Sequence, residues 1–121
     1  MIVLKFGGTS VGTAKSIRKV VEIITKCKSP KIVILSAVSG TTNSLVEISN
    51  YINDGKADSA LLVVHQLHNR YLNLIADLYQ STEYKERARS FVAAKFNGIK
   101  TIIDSHQEEN TNNIIVAQGE M

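Results

Sequence analysis

An apolar run that ends in a segment rich in glycine and hydroxyl groups opens the chain and constrains the fold more than any other feature. The run is Ile2–Phe6, broken by Lys5, and it leads directly into Gly7-Gly8-Thr9-Ser10. Apolar residues then recur at helical spacing, at positions 17, 20, 21 and 24. The pattern predicts a buried strand that leads through a glycine turn into an amphipathic helix over residues 13–26.

Such a strand–turn–helix junction favours anion binding. Glycine lets the backbone present its N–H groups, and a helix N-terminus carries partial positive charge. Lys5 adds an ammonium, and Thr9 and Ser10 add hydroxyls. Together these groups predict a phosphate site, the alternative being a turn that needs glycine for geometry alone. The lysine precedes two adjacent glycines, so the segment matches neither the P-loop nor the G-x-G-x-x-G dinucleotide pattern.

The remaining pattern predicts an α/β fold with a parallel sheet and crossover helices. A turn around Pro30 leads to a second buried strand over residues 32–35, which makes a parallel pair with a right-handed crossover. A helix over 42–52 follows, and one of Thr41, Thr42 and Asn43 is expected to cap it. Two long helices over 61–78 and 84–103 should then form an antiparallel hairpin that covers one face or edge of a three-stranded parallel sheet. A polar loop over 108–113 leads to a third strand over 114–117.

Composition excludes several classes of protein. The 121 residues suit one modest core, and 44% hydrophobic with 21% charged residues is ordinary for a soluble globular protein. The net charge of +3 comes from scattered lysines, so no nucleic-acid partner is implied, and no apolar stretch has the length of a membrane span. The single cysteine, Cys27, fits a reducing compartment, so the cytoplasm is expected. Because the chain stops at Met121, just past the third predicted strand, we expect an N-terminal piece of a longer protein.

Three polar segments follow the three predicted strands, over residues 7–12, 36–43 and 118–121. Open α/β sheets bind ligands beyond the carboxyl ends of their strands, so the segments predict one composite site. His65 and His68 are three residues apart, but no cysteine or carboxylate lies near them on the same helical turn. We therefore predict packed or surface histidines there and no metal site. The aromatic residues of both long helices follow helical spacing, which favours core packing over ligand stacking.

Three blocks, in this order, resemble aspartate kinases, which are members of the amino-acid kinase family. They are Lys-Phe-Gly-Gly-Thr-Ser-Val-Gly at 5–12, Val-Ile-Leu-Ser-Ala-Val-Ser-Gly-Thr-Thr-Asn at 33–43, and Val-Ala-Gln-Gly-Glu-Met at 116–121. The resemblance covers the whole chain. It implies a three-layer α/β fold with an inserted helical hairpin. It also implies that residues 1–121 are the N-terminal portion of a catalytic domain, truncated at the C-terminus.

The resemblance also implies roles for individual residues. Lys5 would be catalytic and would bind the ATP phosphates, together with Gly7, Gly8, Thr9 and Ser10. The amino-acid substrate would be held by Ser36, Thr42 and Glu120, with the Glu120 carboxylate receiving the substrate ammonium. None of these residues is expected to ligate a metal.

The implied activity is that of a transferase which phosphorylates the side-chain carboxylate of L-aspartate with ATP and Mg²⁺. The product, 4-phospho-L-aspartate, opens lysine, threonine and methionine synthesis. The complete enzyme is expected to be a homo-oligomer, and the 121 residues alone are expected to be inactive. Two alternatives stay open, namely another amino-acid kinase, or a non-catalytic anion-binding or helical interaction module. The Gly-Thr-Thr-Asn and Gly-Glu blocks argue against glutamate, carbamate and uridylate kinases.

Overall fold

The strand–helix–strand unit predicted at the start of the chain is confirmed. A computed structural model describes the backbone of residues 1–119 and the side chains of residues 1–106. The elements are β1 (Ile2–Phe6), a turn of 3-10 helix (Gly8–Val11), α1 (Ala14–Lys26), β2 (Lys31–Leu35), α2 (Thr41–Asn53), α3 (Ala57–Leu78) and α4 (Thr82–Gly119). The two strands are parallel, with Ile2 opposite Lys31 and Phe6 opposite Leu35.

A local side-chain hydrogen bond fixes the start of α1. The Thr13 hydroxyl accepts a hydrogen bond from the Ser16 backbone N–H at 3.1 Å, which satisfies one of the free donors of the first turn. At the other end, Lys26 lies in the last turn, where a positive charge is favourable. The helix therefore begins and ends close to the predicted bounds.

The main core lies among α2, α3 and α4. Its buried residues come from all three helices and include Ile48, Val64, Leu67, Phe96 and Ile103. The antiparallel hairpin of α3 and α4 is thus confirmed, and its apolar faces pack against each other and against α2. Helix α1 docks on the end of α3, where the Arg18 guanidinium donates to the Asp77 and Leu78 carbonyls. A cation there also complements the negative end of the helix dipole.

One face of the sheet is open to solvent, although both faces were expected to be buried. On this face Val3, Ile32 and Ile34 are 60%, 49% and 47% exposed, and Lys5 lies beside them. On the opposite face Phe6 shares a cavity with Val20 and Ile23 of α1. The difference arises because the hairpin packs on α2 and α1. In the part of the chain with described side chains, it leaves this face of the strands uncovered.

The predicted third strand over 114–117, and the loop before it, are wrong. Helix α4 continues through both segments to Gly119, so the sheet of the described residues has two strands. No proline or glycine interrupts residues 107–118. A helix satisfies its own backbone hydrogen bonds, whereas a strand needs a neighbour at its edge. None of the helices described combines the length and the apolar character that a membrane crossing requires.

His68 makes the stability of the helical core depend on pH. Its ring stacks on Phe96 with the ring centroids 4.7 Å apart, and its buried Nε2 has no hydrogen-bond partner among the described residues. Burial lowers the pKa of His68 below its ordinary value of 6.5, and the charges of Lys100 and His65 lower it further. The unfolded chain therefore takes up this proton at a higher pH than the folded protein does.

We expect the free energy of unfolding to be fully retained above pH 6.5 and to fall as the pH decreases below it. Urea titrations at a series of pH values measure this slope. The slope should diminish in His68→Gln and persist in the control His106→Gln. An equal slope in wild type and His68→Gln would show that other groups cause the pH dependence.

Candidate active site

The two loops that follow the strands lie in contact at one edge of the sheet. We call residues 7–13 the first loop and residues 36–40 the second loop. The Ser36 N–H donates to the Phe6 carbonyl at 3.1 Å, which brings the loops together where the strands end. A Cβ on Gly8 would lie 3.6 Å from the Ala37 carbonyl oxygen, and a Cβ on Gly12 only 3.0 Å from the Ser39 Cβ. Gly12 therefore permits a close approach that a larger residue would obstruct.

The first loop is a tight turn anchored by an apolar side chain. The Ser10 N–H donates to the Gly7 carbonyl at 3.0 Å, and the buried Val11 anchors the turn beneath it. Thr9 and Ser10 line a cavity of about 360 Å³ that is also lined by Lys19 of α1. Two hydroxyl residues and a lysine thus line one cavity beside the turn. The sequence pattern predicts Lys19 as one of several scattered surface charges. It lies one turn of α1 beyond Ser16, and both residues line the same cavity as Thr9 and Ser10 of the first loop.

The second loop ends in a glycine with left-handed backbone. Gly40 has φ +84° and precedes the first residue of α2, a conformation that L side chains disfavour. The predicted cap of α2 is wrong, because in the described part of the chain no side chain caps this helix. Thr41 instead shares a hydrogen bond of 2.8 Å with the Tyr71 hydroxyl. Thr42 and Asn43 stand exposed in the first turn.

Helix α3 contributes residues that the sequence did not single out. The Arg70 guanidinium donates from Nη2 to the Ser39 carbonyl at 2.7 Å. A Cβ on Gly40 would lie 2.8 Å from Arg70 Nη1, so the guanidinium lies directly against the second loop. A further cavity of about 230 Å³ lies between α3 and the start of α1, lined in part by Thr13, Arg70 and Asp77.

Most predicted site residues follow the carboxyl ends of the two strands or stand next to them. Lys5 is exposed near the end of β1, opposite Ile34 of β2. Gly7 to Ser10 occupy the first loop, Ser36 begins the second loop, and Thr42 lies in the first turn of α2. Glu120 lies outside the described residues.

The electrostatics of this edge favour an anion. The N-termini of α1 and α2 both follow directly from the two loops, and each contributes partial positive charge. Arg70 adds a full charge against the second loop, Lys19 lines the cavity beside Thr9 and Ser10, and Lys5 lies on the open face of the sheet near the end of β1. Backbone N–H groups and cations arranged in this way can bind a phosphorylated ligand.

The described side chains do not supply a metal centre. Within residues 1–106 no group of three or more histidine, cysteine, aspartate or glutamate residues is placed to hold an ion. Magnesium commonly binds through one or two carboxylates together with substrate phosphates and water. A magnesium ion that arrives bound to nucleotide phosphates therefore requires no group of three protein ligands.

Comparisons with known proteins agree on one family. The aspartokinase of Chlamydia trachomatis is 59% identical over 46 residues, which are 38% of this chain and 10% of that protein. The aspartate kinase of Pseudomonas putida is 40% identical over 67 residues, or 53% of this chain and 16% of that protein. The bifunctional aspartokinase/homoserine dehydrogenase of Buchnera aphidicola is 32% identical over 130 aligned residues, covering 100% of this chain and 16% of that protein.

This chain thus spans between a tenth and about a sixth of the length of these relatives. The model of the amino acid kinase family matches residues 1–116, which include β1, β2 and both loops. On that match, which covers nearly the whole sequence, the chain belongs to the amino acid kinase family.

Proposed function

We propose that this chain contributes to an aspartate kinase, which transfers the γ-phosphoryl group of ATP to the side-chain carboxylate of L-aspartate. The product is 4-phospho-L-aspartate, and the reaction is the first step of lysine, threonine and methionine biosynthesis. The observation that carries the proposal is the contact of the two loops at the carboxyl edge of a parallel strand pair. The relatives named aspartokinase or aspartate kinase support the choice of acceptor.

The first loop would bind the phosphate groups of ATP. Phosphoryl transfer requires that the two substrates be aligned and that charge on the moving group be stabilised. The backbone N–H groups of Gly7 and Gly8 and the hydroxyls of Thr9 and Ser10 would hold the ATP phosphates. Lys5 would stabilise the charge that develops on the transferred group as a compact ammonium.

The second loop would bind the amino-acid substrate. Ser36 and Thr42 would hold L-aspartate with its side-chain carboxylate directed at the γ-phosphorus. The carboxylate oxygen attacks phosphorus while the bond to the leaving ADP oxygen breaks, so the reaction passes through no covalent enzyme intermediate. Glu120 would receive the substrate ammonium.

Further properties of the whole protein belong to the same proposal. Mg²⁺ would enter with ATP, bound to the phosphates, and would neutralise part of their charge. We also propose a three-layer arrangement around the sheet, a cytoplasmic location and a homo-oligomer. Since the chain spans a small share of its relatives' length, we expect the 121 residues by themselves to show no turnover.

The direct test is trapping of the acyl phosphate with hydroxylamine. The full-length gene product, supplied with MgATP and L-aspartate, should form the hydroxamate of aspartate, and omission of either substrate should abolish it. Release of ADP with glutamate, carbamate or uridylate in place of aspartate tests the other kinases of the family, because a phosphorylated uridylate forms no hydroxamate. ATP binding without hydroxamate from aspartate would contradict the proposal and favour a non-catalytic anion-binding module.

Glu120 allows a test of the amino-acid side of the site. A charge-assisted hydrogen bond contributes about 1.5–3 kcal/mol, so losing one weakens binding by about tenfold to a hundredfold. We expect Glu120→Gln in the full-length protein to raise KM for aspartate by this factor and to leave KM for ATP nearly unchanged. Steady-state kinetics with each substrate varied measures both. A collapse of ATP affinity, or an unchanged KM for aspartate, would assign Glu120 a structural role.

A further inference from the structure

Two consecutive residues of α3 hold three consecutive residues around the start of α2. Arg70 donates to the Ser39 carbonyl at 2.7 Å, and its guanidinium lies against Gly40. Tyr71 shares its hydroxyl with Thr41 at 2.8 Å. These are side-chain contacts between segments that lie 30 or 31 residues apart in sequence. The second loop is therefore attached to the helical hairpin as well as to the sheet.

The α3 end of this attachment is fixed by the core. The Tyr71 ring meets the buried Phe96 edge-on, with centroids 5.7 Å apart, and Phe96 belongs to the main core cluster. Arg70 is the neighbouring residue on the same helix. The hydrogen-bonding groups of both residues thus originate from a backbone that the core holds in place.

At the loop end of the attachment, one local backbone hydrogen bond runs from the Thr41 N–H to the Val38 carbonyl at 3.0 Å. In the described part of the chain no side chain caps α2. The residue at the cap position, Gly40, has a left-handed backbone conformation, which is unfavourable for the serine or threonine that commonly caps a helix. A short loop with such a glycine loses considerable conformational entropy when it is held in one shape. The bonds from Arg70 and Tyr71 fix the residues on both sides of Gly40, since one reaches the Ser39 carbonyl and the other the Thr41 hydroxyl.

We propose that Arg70 and Tyr71 are positioning residues for the amino-acid substrate. They hold the second loop and the first turn of α2 in the conformation that presents Ser36 and Thr42. The inference rests on the proposed function, since both residues act through the loop. A misplacement of about 1 Å at a reacting group can cost about a hundredfold in rate, so this support affects aspartate use directly.

The experiment combines amide exchange with steady-state kinetics in the full-length gene product. Arg70→Met removes the donor and keeps the aliphatic stem, Arg70→Lys keeps one charged donor, and Tyr71→Phe removes only the hydroxyl. The matched control is Arg89→Met, an exposed arginine of α4 whose partner is Glu86 on the same helix.

We expect the amides of Thr41 and Ser44, which donate to the Val38 and Gly40 carbonyls, to exchange about tenfold faster in Arg70→Met and in Tyr71→Phe, the factor expected for one lost hydrogen bond. KM for aspartate should rise by a similar factor, with KM for ATP nearly unchanged. Arg70→Lys should fall between wild type and Arg70→Met, since lysine lacks the planar fork of the guanidinium. Arg89→Met should match wild type in both measurements.

Two results would overturn the inference. Unchanged exchange of the Thr41 and Ser44 amides would show that α3 does not hold the loop. Faster exchange with an unchanged KM for aspartate would show that the held conformation does not serve the substrate. Failure of the proposed function is distinguishable from both, because wild type itself would then form no acyl phosphate from aspartate.

Discussion

Replacing Lys5 with alanine in the full-length protein should lower kcat by about a hundredfold to a thousandfold, the usual cost of losing one group that stabilises transition-state charge. Lys5 stands near the carboxyl end of β1, one residue before the strand ends at the first loop. Its ammonium would meet the transferred phosphoryl group, whose charge must be stabilised as the bond to ADP breaks. Single-turnover and steady-state assays of acyl phosphate formation measure the loss.

The matched control for Lys5→Ala is Lys28→Ala. Lys28 is exposed in the turn before β2, at the opposite end of the strand pair from the loops. Its removal changes the net charge equally and should leave kcat near the wild-type value. If Lys5→Ala raises KM for ATP and leaves kcat intact, then Lys5 only docks the nucleotide and its catalytic assignment is wrong.

Replacing Phe96 with alanine should lower the free energy of unfolding by about 3–5 kcal/mol, the range for truncating a buried aromatic residue. Phe96 is 6% exposed and lies between His68 and Tyr71 of α3, stacked on one ring and edge-on to the other. Its loss leaves a cavity and removes both aromatic contacts. Urea unfolding followed by circular dichroism measures the change.

The same helix supplies the control for Phe96→Ala. Phe91 is 65% exposed, and the Lys95 ammonium lies over its ring, 5.3 Å from the ring centroid. Phe91→Ala should cost less than about 1 kcal/mol, because little area is buried and a cation–π contact at an exposed site is weak. Equal losses for Phe91→Ala and Phe96→Ala would contradict the core assignment of α4.

The sequence pattern predicted the structure correctly where that structure depends on residues close together in the chain. The bounds of β1 were predicted residue for residue, and α1 begins one residue later than expected because Thr13 is its cap. The helical hairpin followed from apolar spacing alone. Among its aromatic residues, all predicted to pack in the core, Phe96 is buried and Tyr71 packs against the core, whereas the prediction is wrong for Tyr79, Tyr84 and Phe91, which are exposed. Both glycine-containing loops were also placed correctly after their strands.

Sequence pattern failed where the outcome depends on distant partners. Residues 114–117 are apolar and β-branched in part, yet a strand forms only beside another strand, and the described segment is helical. The burial of β1 and β2 was overestimated for the same reason, since an apolar run does not reveal what packs on it. The role of Arg70 carries no local signal, because it arises only when α3 is folded back onto the second loop.

The open face of the sheet bears on the tendency of this chain to aggregate at high concentration. Exposed β-branched side chains beside unpaired strand edges can template pairing with further copies of the chain. Lys5 of β1 lies on this open face, whereas Lys31 of β2 lies on the opposite face and donates to the Cys27 carbonyl at 2.6 Å. A charge within an exposed apolar run opposes stacking of like strands and acts as a gatekeeper against aggregation. The residue proposed for phosphate chemistry should thus also contribute to colloidal stability, which substitution by arginine would preserve and substitution by alanine would not.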